Sequence, residues 1–148
     1  QCRRAVALDP NNAEAHLFLS LVLSAAGLGD EALYYVEKAQ RFNPIAGAFN
    51  KFAYGQCYFV QKNYAKAISA YEQSCILNPN FKPNHFFLMI TNEMLGLHDE
   101  AQQKLKTLLV LTNGLLEMPN IVIWTDKELG EQQIAYWNAI KLRYLSLN

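Results

Sequence analysis

The sequence has no surplus of charge, since thirteen Lys plus Arg balance thirteen Asp plus Glu for a formal net charge of zero. Binders of nucleic acid or anionic membranes carry a basic excess on one face, so neither partner is expected. Long apolar runs are missing too. The longest stretch without a charged residue, Ala15 to Gly29, falls short of the roughly 20 residues that cross a bilayer and is broken by Ser20, Ser24 and Gly27. Cysteine is scarce: Cys2, Cys57 and Cys75 form no CxxC pair and leave an odd number. That excludes a disulfide framework and suits buried thiols in a reducing compartment, with the cytoplasm as the expected location. Seven glycines and five prolines are too few for a low-complexity chain, and 148 residues with 51% hydrophobic and 18% charged side chains fit one globular domain.

What is present is periodic. Leu8-Asp9-Pro10-Asn11 returns as Phe42-Asn43-Pro44 and as Leu77-Asn78-Pro79-Asn80, with prolines 34 and then 35 residues apart. Ala32, Ala67 and Ala101 keep the same step, and so do Gly27, Lys62 and Gly96. Within each period the apolar residues recur every three or four places, as in His16, Leu19 and Leu23 and then Leu33, Val36 and Ala39, which is helical spacing. The Asn-Pro steps end one helix of each period, because proline disfavours a helical residue before it. Gly27, Lys62-Asn63 and Gly96 end the other. Helices are therefore predicted over about 13–26, 30–42, 46–61, 64–77, 81–95 and 98–112, and a last one over about 126–146 after the capping box Thr125-Asp126-Lys127-Glu128.

This pattern resembles the tetratricopeptide repeat, a 34-residue helix-turn-helix that stacks into a right-handed solenoid. Counted from Ala13, Ala48 and Lys82, the family's small eighth residue is Ser20 and Gly55, its fifteenth-place glycine is Gly27 and Gly96, and its twentieth-place alanine is Ala32, Ala67 and Ala101. The resemblance implies an all-α domain. Residues 1–12 are the second half of a truncated repeat, 13–47, 48–81 and 82–114 are repeats, and 115–148 are a linker and a capping helix. Met89 at the eighth place, Lys62 for glycine and Asn113 for proline depart from the pattern, so the third repeat is expected to pack loosely or end the array. Because the chain opens on half a repeat, it reads as a piece of a longer protein, with Cys2, Ala5 and Val6 partly uncovered.

A narrower resemblance spans most of the chain. Asn43-Pro44-Ile45-Ala46-Gly47-Ala48-Phe49, the one-residue insertion before the second repeat, Tyr58 to Ile68, and the helix after Trp124 resemble the carboxy-terminal repeats of bacterial class III adenylate or guanylate cyclases. The same array is attached to some bacterial winged-helix regulators. No residue of an upstream catalytic or DNA-binding domain carries over to this segment.

No catalytic, cofactor or metal constellation emerges. Gly27-Leu28-Gly29 lacks a third glycine and lies between helices, so it is no phosphate loop. His16 and His85 share the fourth place of their repeats, a packing position, His98 starts a helix, and no histidine lies at helical spacing from a cysteine. Cys57 has no base beside it in Gln56, Tyr58 or Phe59. Asp30-Glu31 and Asp99-Glu100 fall in first turns of helices, where they complement the helix dipole.

In this family the first helix of each repeat lines the concave face. The resemblance therefore implies a groove built from Leu17, Leu21, Phe49, Phe52, Gln56, Phe59, Phe86, Ile90, Glu93 and Met94, largely apolar and unlike the basic carboxylate clamp of chaperone-tail receptors. Phe52 and Phe86 recur at the fifth place of adjacent repeats, so a peptide or helix could lie across both. A protein or peptide ligand is the expected partner. On the last helix Leu129, Gln133, Tyr136, Trp137, Ile140 and Tyr144 form one stripe, expected to cover Leu105, Leu108, Leu109 and Leu111, while Ile134 and Leu145 fall outside it and either stay exposed or make a homodimer contact. The chain thus reads as a non-catalytic interaction module, the regulatory or assembly arm of a larger bacterial signalling protein such as a nucleotide cyclase. The alternative is a scaffold or self-association module whose groove is filled by its own tail or by a second copy. An enzyme would need its catalytic part outside this segment.

Overall fold

The structure, a computed structural model, describes residues 1–45, 47–115 and 126–147. The composition change over Met118–Trp124, Thr125 and the side chain of Leu145 lie outside what it describes. Among the described residues there are eight helices and no strand: α1 (Cys2–Leu8), α2 (Ala13–Ala25), α3 (Gly29–Phe42), α4 (Ala48–Val60), α5 (Tyr64–Leu77), α6 (Lys82–Met94), α7 (His98–Leu111) and α8 (Lys127–Leu147).

One turn is used four times. After α2 the N–H of Gly27 donates to the Ser24 carbonyl and that of Leu28 to the Leu23 carbonyl, both at 2.9 Å. This paired closure needs a left-handed residue, and Gly27 supplies it at φ 78°. The same pair of bonds recurs at Lys62-Asn63, at Gly96-Leu97 and at Asn113-Gly114. Lys62 takes φ 60° and Asn113 φ 53°, so the turn is imposed there on residues with a Cβ. The opposite ends are capped by side chains where the sequence allows. Asn12 accepts from the Ala15 N–H at 2.9 Å and Asn63 from the Lys66 N–H at 3.4 Å.

Helix pairs α2/α3, α4/α5 and α6/α7 pack antiparallel, and each pair then stacks on the next. The twentieth-place alanines sit in these crossings, with Ala32 and Ala67 0% and Ala101 1% exposed. A closer approach occurs at Gly55, where an added Cβ would stand 2.3 Å from the Tyr71 ring. Tyr71 is fully buried and its hydroxyl accepts from Gln56 Nε2 at 3.0 Å.

Two cores result. One joins repeats one and two through Leu19, Leu23, Val36, Ala53 and Cys57. The other is aromatic and joins repeats two and three around Phe87, whose ring meets Phe52, Phe59, Tyr71 and Phe86 at centroid distances of 5.5 to 6.0 Å. The looser packing expected of the third repeat is not found. Every residue from Pro83 to Glu93 is buried, Met89 included, because α6 is enclosed by α5, α7 and α8.

Candidate functional site

By repeat position the first helices α2, α4 and α6 line the concave face, and α8 lies against α6 and α7 near the turns that end the first helices. The residue before α8 is anchored at repeat one: the Asp126 N–H donates to the Ala25 carbonyl at 3.1 Å, and the Asp126 carboxylate packs on Gly27. Asp126 also caps α8, accepting from the Leu129 N–H at 2.9 Å, while the expected box opens at Thr125, outside the described residues. Farther along, Trp137 meets Phe86 at 5.6 Å between ring centroids. The end of α8 reaches repeat three, where Arg143, Tyr144 and Ile140 line a small cleft with Glu93, His98, Ala101 and Leu105.

The expected stripe is the inward one. Gln133 is 0%, Trp137 3% and Ile140 3% exposed, and Leu129, Tyr136 and Tyr144 are half-buried, whereas Ile134 faces out at 48%. What it covers differs from the expectation. Leu105 and Leu108 are buried, but α8 packs on α6 as well as α7, so it closes the array by lying in the groove and not only over the end.

This placement sorts the ten groove residues. Phe52, Gln56, Phe59, Phe86, Ile90 and Glu93 are buried. Phe52 is enclosed by the rings of Phe49, Tyr71, Phe81 and Phe87, while Phe86 lies under Trp137. Leu17, Leu21, Phe49 and Met94 are half-buried. Of the ten residues expected to line a groove, six are thus buried and four half-buried, which leaves that groove partly filled. Its accessible end is a cleft of about 290 Å³ between α2 and α4, lined by Leu17, Phe18, Phe49, Asn50, Asn43 and Glu14 among others. Phe18, which the sequence did not single out, is 45% exposed there and meets Phe49 at 6.0 Å.

Electrostatics concentrate at Glu93. Its side chain is 5% exposed, and Oε2 accepts from Arg143 Nη1 at 2.6 Å with His98 Nδ1 at 3.1 Å. Burial pushes this carboxyl up, but the hydrogen bonds from Arg143 and His98 outweigh it and hold the group below its ordinary value. His98 Nδ1 also stands 2.9 Å from Arg143 Nη1, so it can donate to Glu93 or accept from Arg143, not both. Arg143 lies fifty residues from Glu93, and no local pattern marks it.

The other singled-out side chains are structural. His16 Nε2 meets the Pro10 carbonyl at 2.8 Å and His85 Nε2 the Pro79 carbonyl at 2.7 Å, the same bond in two repeats. The shared spacing of six residues from each proline was the available signal. Cys57 is buried beside Ser24 and Ser20, and burial pushes its thiol up to about 11, which leaves almost no thiolate near neutral pH. Among the described residues no three His, Cys, Asp or Glu side chains converge as metal ligands, and no helix is long and apolar enough to cross a membrane.

The comparisons agree with this architecture. Two family models, each described as the tetratricopeptide repeat, match residues 2–46 and 48–81, together more than half of the chain. The chain belongs to the tetratricopeptide-repeat family, whose members serve as protein–protein interaction modules. No curated protein matches it in sequence. Two crystal structures of MamA share its fold, one with a TM-score of 0.67 at 19% identity, covering 98% of this chain and 85% of that one. The other has a TM-score of 0.65 at 20% identity, covering 93% and 75%.

Proposed function

We propose that the chain is a non-catalytic module whose concave face receives a segment of another polypeptide. The observation that carries this is the cleft at the first-repeat end, where Leu17, Phe18 and Phe49 stay accessible in an otherwise filled groove. Apolar surface left beside a polar rim of Glu14, Asn43 and Asn50 suits a docked peptide. The likeness to cyclase carboxy-terminal repeats supports a place as the regulatory or assembly arm of a larger bacterial signalling protein, and the unpaired cysteines support a cytoplasmic setting. A second reading, a scaffold whose groove is filled by its own tail, is favoured by the seating of Trp137 on Phe86. The outward Ile134 offers a contact for a second copy.

A photo-crosslinking residue at Phe18, in the full chain inside its native cell, separates the two readings. Crosslinks from Phe18 to a different polypeptide, absent from the same probe at the 79% exposed Val110, are expected for the partner-binding module. No crosslink from Phe18 would leave the self-filled scaffold.

A further inference from the structure

The helix that fills the groove fits it imperfectly. Gln133 sits on the inward face of α8 at 0% exposure, and neither atom of its amide has a hydrogen-bond partner. An amide buried unpaired disfavours the seated state, where an apolar side chain of similar volume would not. At the other end of that face, Glu93 is a buried carboxylate neutralised by Arg143. His98 gives this carboxylate one partner from the chain itself, and a helix lying here suits the place best by bringing a cation as Arg143 does. Between these points Trp137 covers Phe86 and Ile140 is buried. Gln133, Trp137, Ile140 and Arg143 follow at steps of four, three and three, one side of a single helix.

We infer that α8 is a resident competitor for a partner helix. That partner is an amphipathic helix of another protein with an apolar residue at the place of Gln133, an aromatic one four residues on, an aliphatic one three further and an arginine three beyond that. The inference rests on the concave face being the partner site, and adds the partner's pattern together with the device that keeps the groove closed in its absence. A tethered helix competes at high effective concentration, so a displacing helix must bind better than α8 does. The unpaired amide of Gln133 is where it can do so.

The probe is a fluorescein-labelled synthetic peptide of residues 126–147 carrying Gln133→Leu, titrated onto the full chain. Arg143→Glu in the chain releases its own helix and leaves Glu93 in place, so it should bind the peptide about tenfold more tightly or better than the unaltered chain. Adding Glu93→Gln should remove most of that gain. Gln133→Leu in the chain itself should act oppositely, raising the melting temperature and weakening peptide binding. Equal binding by the unaltered and Arg143→Glu chains overturns the inference, as does a gain that survives Glu93→Gln. A Gln133→Leu chain that melts lower overturns it too, and so does dimerisation of the Arg143→Glu chain in light scattering, which would make a second copy the occupant. Where Arg143→Glu loses helix content by circular dichroism, the Gln133→Leu arm decides. If Phe18 crosslinks persist without any peptide gain, this inference fails alone; if both are missing, the partner-binding reading fails with it.

Discussion

Replacing Gly55 by alanine tests a close approach of two helices, and ordinary propensity predicts the wrong sign. In an exposed helix interior the change stabilises by about 1 kcal/mol, because alanine loses less backbone freedom on folding. At Gly55 the new Cβ would stand 2.3 Å from Cε1, 2.4 Å from Cδ1 and 2.9 Å from Cζ of Tyr71, against an optimal carbon separation of about 3.5–4.0 Å. The ring would have to retreat by more than an ångström. It has little room, since Phe52 and Phe87 lie 5.9 and 5.7 Å away between centroids, and the retreat would stretch the bond from Gln56. Overpacking costs about 1–3 kcal/mol and the strained hydrogen bond about 1 more, so the net effect is a loss of roughly 1–3 kcal/mol. At about 2–4 °C per kcal/mol for a domain of this size, the melting temperature falls by several degrees. Urea unfolding followed by circular dichroism measures it. In a Tyr71→Leu background the same substitution should become neutral or mildly stabilising, giving a coupling of at least about 1 kcal/mol. A Gly55→Ala chain that melts higher than the unaltered one would refute the packing argument.

The crossing below it predicts that Ala67→Leu overpacks repeat two by roughly 1–3 kcal/mol, read in the same unfolding assay, because Ala67 is 0% exposed. Lys62→Gly should hold or raise stability, by up to about 1 kcal/mol, since it relieves a left-handed lysine at φ 60°. Cys57 should resist a thiol reagent at pH 8 in the native chain and react once urea unfolds it, as its thiol is held up at about 11. Glu93 predicts an acid response of definite sign. Its folded-state value lies below the ordinary 4.5, so its contribution is complete above that pH and is lost as pH falls through the folded value. Hydrogen exchange in α8 should accelerate over that acid range, and an Arg143→Gln chain should respond less.

How much of this was legible depended on the distance over which each feature is encoded. The turns at Gly27 and Gly96 and the breaks at the Asn-Pro steps are local, written in residues whose backbone preferences decide the matter within five positions. Lys62 could be placed only by repeat register, because a lysine does not announce a left-handed turn as glycine or Asn113 does. The close approach of Gly55 to Tyr71 was half legible. A small residue at the eighth place implied a tight crossing, but the sequence does not say which ring fills it.

How far the groove is occupied was left open by the sequence for a different reason. Repeat position assigns Phe52 and Phe86 to the side of the first helices expected to face inward, but position says nothing about what else arrives there. Phe52 is buried by Phe81 and Phe87 from the next repeat, and Phe86 by Trp137, which lies fifty-one residues away in sequence. The amphipathic stripe of α8 was visible, yet a stripe specifies only that a surface exists, and both the end of α7 and the face of α6 offered one. The choice between them lies in contacts that no periodicity records: the Asp126 N–H on the Ala25 carbonyl at one end and Arg143 on Glu93 at the other. Both are polar and specific, and they bracket a span whose centre, Gln133, is unpaired. A helix held by its ends and poorly matched in its middle is one that a better-matched helix can replace, which ties contacts hidden from the sequence to the function proposed for the fold.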